Sequence, residues 1–122
     1  MCQVDRSPMP VGRGAVRELG AAELAARLAA GDPMLLLDVR EPWEHRLVAL
    51  PESVLVPLGE LPARLGEIAP PAGTLIVTYC HHGVRSLAAA AVLERAGRED
   101  VASLAGGIDA WARDVDPTLA RY

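Results

Sequence analysis

Apolar runs and amphipathic stretches take turns along this chain, and that alternation is its first structural statement. Met34 to Val39 is a continuous apolar run interrupted only by Asp38, the form of a strand buried on both faces of a parallel sheet. Val16–Leu19, Val54–Val56, Thr74–Tyr79 and Val101–Leu104 read as further strands. Between them the apolar spacing changes to a helical one. Leu24 and Leu28 place a helix over Ala21–Ala30, which Gly31 ends. Leu58, Leu61, Leu65 and Ile68 lie on one face of a second helix, stopped by Pro70-Pro71 and Gly73. Ser86–Ala96 is an alanine-rich helix ended by Gly97, and Ile108–Arg113 a short last one. Strands alternating with helices predict an α/β fold with a mostly parallel central sheet flanked by helices.

Composition narrows this picture. The 122 residues suit one domain, expected over 15–122. Residues 1–14, with Pro8, Pro10, Gly12 and Gly14, read as a flexible arm. Phe is absent, so Leu, Val, Ile and Ala must build the core, with Trp111 on an amphipathic turn. A net charge of −4 and the lack of a basic stripe argue against a nucleic-acid partner. No apolar stretch approaches the about 18 residues of a membrane span, and the N-terminus lacks a signal-peptide core. With Cys2 and Cys80 as the two cysteines, a reduced, cytoplasmic protein is the simpler reading.

The chemistry concentrates in Cys80-His81-His82-Gly83-Val84-Arg85-Ser86, which leaves a strand and enters a helix. A helix start gathers unpaired N–H groups and a positive dipole end. Those stabilise anions and lower a thiol's pKa, and the thiolate is the nucleophile. Backbone N–H groups from His81 to Ser86 are expected to form an anion nest around the sulfur, with Gly83 supplying backbone freedom. Arg85 brings a permanent charge, directed at a substrate anion or at the loop itself. Ser86 is placed to cap the helix, and His81 and His82 to add charge near neutral pH. Asp38 ends a neighbouring strand, where open parallel sheets place their sites; with Arg40 it is expected to brace the site by ion pairing. Adjacent histidines seldom aim at one metal, and His45 is the only other histidine, so neither metal nor cofactor is expected.

These stretches resemble the single-domain rhodaneses, a family of sulfurtransferases. Leu37-Asp38-Val39-Arg40-Glu41-Pro42-Trp43-Glu44 resembles the family's Asp-Val-Arg-Glu segment. Cys80–Ser86 resembles its Cys-x-x-Gly-x-Arg-Ser loop, and Ser103–Trp111 its Gly-Gly-Ile-x-Ala-Trp signature. Val115-Asp116-Pro117 with Arg121-Tyr122 is similar to the tail of many bacterial members. One departure stands out: the family's Gly-His-Ile-Pro-Gly-Ala is here Val48-Ala49-Leu50-Pro51-Glu52-Ser53.

The resemblance implies a three-layer rhodanese-like fold and sulfur transfer through a Cys80 persulfide. A donor such as thiosulfate would supply the sulfur. Cyanide would accept it in assays; a cellular thiol or a protein sulfur acceptor would do so in cells. The protein would be a monomer or homodimer. An alternative is a persulfide carrier or a sensing module without turnover of its own. Phosphatases and arsenate reductases on related folds have a loop one residue longer than the four residues between Cys80 and Arg85, which makes that chemistry the weaker reading.

Overall fold

The computed structural model describes residues 16–122. The arm expected over 1–14, and Cys2 within it, lie outside the described residues. Among the described residues five strands form one sheet: β1 Glu18–Leu19, β2 Met34–Asp38, β3 Val54–Leu55, β4 Leu75–Tyr79 and β5 Val101–Leu104. Their order is β1-β5-β4-β2-β3, and every pairing is parallel. The sheet is thus wholly parallel where a mostly parallel one was expected. β4 lies at its centre. Its five residues are all buried, which is why that stretch reads as an unbroken apolar run.

Helices cover both faces. α1 Ala21–Ala29 and α4 Gly107–Asp114 pack together on one side, over a core of Leu24, Leu36, Val77, Tyr79, Leu104 and Trp111. α3 Val84–Arg95 and the 3-10 helix Leu58–Glu67 cover the other, over Leu37, Ile76, Leu61, Leu93 and Val101. Alternate strand residues supply the two cores because successive side chains in a strand face opposite ways. This is the three-layer α/β architecture expected. No helix among the described residues is long and apolar enough to cross a membrane.

Three local readings need correction. The helix expected from Leu58 to Ile68 is a 3-10 helix over Leu58–Glu67. Pro62 lies inside it, where it removes an N–H and crowds the carbonyl four residues back. Leu61 and Ile68 still turn into the core. Second, α2 Pro42–Leu47 is absent from the predicted elements, being too short to show a helical period. It is fixed instead by its start. Glu41 and Glu44 form a reciprocal capping box, and Pro42 occupies the first turn. Third, α3 begins two residues earlier than predicted, at Val84.

The divergent segment Val48–Ser53 carries a cost that its sequence does not show. Glu52 has φ 61°, in the left-handed region, at the position where the family pattern has glycine. A side chain there is strained by roughly 1–2 kcal/mol, part of which glycine's extra chain entropy offsets. Glu52→Gly is therefore expected to stabilise the fold by about 0.5–1 kcal/mol, raising Tm by several degrees. A thermal melt checks this; an unchanged or lower Tm would contradict it.

Candidate active site

The parallel sheet delivers Cys80 directly after β4, at the carboxyl end of the central strand. Its side chain is 1 % exposed and joins the core beneath α3. The chain then folds back over the sulfur. Gly83 N–H donates to Cys80 Sγ at 3.1 Å and Ser86 N–H at 3.3 Å. In the thiol form the S–H reaches Ser86 Oγ at 3.5 Å. Ser86 Oγ is 2.8 Å from Ser103 Oγ, so on ionisation the Ser86 proton can turn to the sulfur while Ser103 donates in its place. Burial raises the thiol's pKa, but the Ser86 and Gly83 hydrogen bonds and the Arg85 charge outweigh it, and the net shift is downward. The thiolate is accordingly available at lower pH than in an ordinary cysteine.

Two glycines make this loop closure feasible. Gly83 holds φ +103°, and a Cβ there would stand 3.1 Å from Gly106 N. At Gly107, φ +62°, a Cβ would collide with the carbonyls of Cys80 and His81. Those two carbonyls accept N–H bonds from Ile108 (2.8 Å) and Asp109 (3.1 Å). The amino end of α4 therefore clamps the first two peptides of the loop.

Around the loop runs a chain of paired charges. Arg85 donates to both oxygens of Glu44, at 2.7 and 3.0 Å. Tyr122 Oη donates to Glu44 at 2.7 Å and accepts from Arg40 Nη1 at 2.8 Å. Arg40, fully buried, donates to both Asp38 oxygens at 2.8 and 2.6 Å, and to Val48 O at 2.6 Å. His45 Nδ1 is 2.8 Å from Asp38 Oδ2. Burial opposes ionisation of Glu44, yet Arg85, the Glu41 N–H and Tyr122 bring its carboxyl down to about 2. Burial also opposes the charge on Arg40, and Asp38 and Tyr122 overcome it, raising its pKa.

Residues 20–114 match the model of the rhodanese-like domain. The chain belongs to the rhodanese-like family. It is 38% identical over 105 residues to a sulfurtransferase of Allochromatium vinosum, covering 86% of this chain and 96% of that one. It is 36% identical over 100 residues to the probable adenylyltransferase/sulfurtransferase MoeZ of Mycobacterium tuberculosis, covering 82% of this chain but only 26% of that protein. A thiosulfate sulfurtransferase structure from Pseudomonas aeruginosa superposes with TM-score 0.74 at 31% identity, over 80% of this chain and 19% of that one.

In this rhodanese-like domain the predicted residues converge, with several altered parts. Ser86 is not the cap. Gly83 occupies the position before the first helical residue, and Ser86, buried in the first turn, points at the sulfur and Ser103. Val84 is 75% exposed on the rim. His81 is a poor source of charge: burial, then the neighbouring His82, lowers its pKa. Its ring stacks between Tyr122 and His82, with centroids 3.9 Å from each. His81, His82 and Asp109 do bring ligand atoms within 4.8 Å of one another. Imidazole lone pairs lie in the ring plane, however, and two rings stacked at 25° aim them side by side rather than at one ion.

Sequence reasoning assigned no role to Glu44, Tyr79, Ser103 or Tyr122. Glu44 had a readable signal, three residues after Glu41 across a proline. Tyr79 lies beside Asp38 in register, donates to it at 3.2 Å and accepts from Leu50 N–H at 3.1 Å. It ties the divergent segment to the brace. Tyr122 reaches Glu44 across 78 residues of sequence, which no local pattern announces. A separate cleft of about 300 Å³, lined by Pro71, Gly73, Ile76, Arg98 and Asp100 among others, lies toward the amino end of β4, away from Cys80.

Proposed function

We propose that this protein is a sulfurtransferase that carries sulfane sulfur on Cys80. The Cys80 thiolate attacks the outer sulfur of a donor, and the donor's S–S bond breaks. With thiosulfate the electron pair leaves on sulfite, and Cys80 keeps a persulfide. A thiophile then attacks the terminal sulfur, takes it and returns the thiolate. Cyanide leaves as thiocyanate; a thiol acceptor becomes a persulfide itself. One observation carries the reading: a thiol at a strand end that receives two backbone N–H bonds, from Gly83 and Ser86. Neutral dipoles aimed at sulfur stabilise both the attacking thiolate and the persulfide anion without reorganising. Four residues separate Cys80 from Arg85, a shorter loop than the phosphatase type and one that suits a sulfur atom better than a phosphate. Asp38 and Arg40 brace it through Tyr122, Glu44 and Arg85.

Delivery to a protein acceptor, in the cytoplasm, is the second reading. The relative named adenylyltransferase/sulfurtransferase, of which the chain spans about a quarter, carries the matching domain within a longer chain. Intact mass after incubation with thiosulfate or a small alkyl persulfide, and again after cyanide, tests the proposal. Gain of one sulfur atom, lost with cyanide, is expected. Failure of every sulfane donor to load Cys80 would overturn it.

A further inference from the structure

Among the described residues, each arginine of the loop and its brace, Arg85, Arg40 and Arg121, is paired with its own carboxylate. Arg85 is held bidentately by Glu44, whose side chain is 4% exposed. Arg40 spends Nε, Nη1 and Nη2 on Asp38, Tyr122 and Val48. His45 faces Asp38, while Arg121 and His82 face Asp109. His81 is biased toward its neutral form. What points at the sulfur is N–H dipoles. Arg85 does not leave Glu44 cheaply, because a carboxylate this buried would lose its bidentate partner.

From this we infer that Glu44 sets donor selectivity: by neutralising Arg85 it makes the site favour sulfane donors of low charge, persulfides and thiosulfonates, over dianionic thiosulfate. The inference rests on the sulfur-transfer reading and refines it. A dianion entering this site meets dipoles but no unmatched charge, and the protein's net charge of −4 adds repulsion. A persulfide R–S–SH asks less. The thiolate takes its outer sulfur, the S–S bond breaks, and R–S⁻ leaves, with no second negative charge to accommodate.

The test compares thiosulfate with benzenethiosulfonate. Both yield the Cys80 persulfide by S–S cleavage, releasing sulfite and benzenesulfinate respectively, and they differ by one unit of charge. The readout is the ratio of their second-order loading rate constants by intact mass, in the wild type and in Glu44→Gln. The amide oxygen introduced by this substitution still accepts from Arg85, and the negative charge is gone. Turning one nearby carboxylate neutral should favour the dianion over the monoanion by roughly tenfold. A ratio that changes less than about threefold would overturn the inference while leaving sulfur transfer standing. Should the variant not fold, the salt dependence of the wild type decides. Thiosulfate loading that stays flat or rises between about 20 and about 500 mM NaCl supports the inference, and a several-fold fall, the mark of a free cation, overturns it. If neither donor loads Cys80, the sulfur-transfer reading falls and takes this one with it.

Discussion

Cys80→Ser is expected to lose sulfur loading by about a thousandfold or more while keeping the fold. The serine hydroxyl titrates far above neutral pH, so the nucleophile disappears. Oxygen also forms no persulfide equivalent from which a thiophile could draw sulfur. The substitution is nearly isosteric, and the position is 1 % exposed. An Oγ there still receives the N–H groups of Gly83 and Ser86 and still bonds the Ser86–Ser103 pair. Stability should change by about 1 kcal/mol, a few degrees in Tm. Intact mass with a loading donor, beside a thermal melt, measures both. Loading near the wild-type rate in a folded variant would defeat the proposed mechanism.

Gly107→Ala should show the largest effect on stability. The new Cβ would press on the carbonyl oxygens of Cys80 and His81. Those are backbone atoms and do not swing aside. The residue also holds φ +62°, where a side chain adds strain. Relief requires α4 to move away from the loop, which breaks the Ile108 and Asp109 N–H bonds to the same carbonyls. A loss of about 3–5 kcal/mol is expected, more than about 10 °C in Tm for a domain of this size. Any folded fraction should alkylate at Cys80 with a pH profile moved upward. Displacing the peptide after Cys80 disturbs the Gly83 and Ser86 donors that hold the thiol's pKa down. A melt that shifts by only a degree or two would contradict this.

The two variants separate what the loop does from what holds it. Cys80 supplies the reacting atom, and its backbone N–H donors lie within the same loop. Gly107 contributes no chemistry, yet the loop's geometry depends on it. The same division holds for the charged brace. Arg85 sits in the first turn of α3, while its partner Glu44 comes from α2 and the tyrosine that secures Glu44 from the end of the described chain. A substitution at Glu44 is therefore felt at the sulfur without any direct contact.

The alternation of strands and helices, the parallel sheet and the place of Cys80 at a strand end can all be read along the chain. These follow from local signals: apolar runs with period two or none, helical spacing, and glycine and proline as breaks. The reactive heptapeptide was legible for the same reason, since a strand, a tight turn and a helix start are contiguous in the chain. Subtler local chemistry leaves a weaker mark on the sequence. Pro62 tightened a helix to 3-10 geometry, a six-residue α2 was too short to be periodic, and Ser86 turned inward because α3 began at Val84. Packing placed Arg85 against Glu44 rather than an open mouth. It alone set Tyr122 between Arg40 and Glu44, and Tyr79 beside Asp38. A charged side chain's partner is chosen by which elements the packed sheet brings together. Separations of 41 and 78 residues leave no trace in spacing, and the pairing that fixes the site's charge becomes visible only once the core has closed.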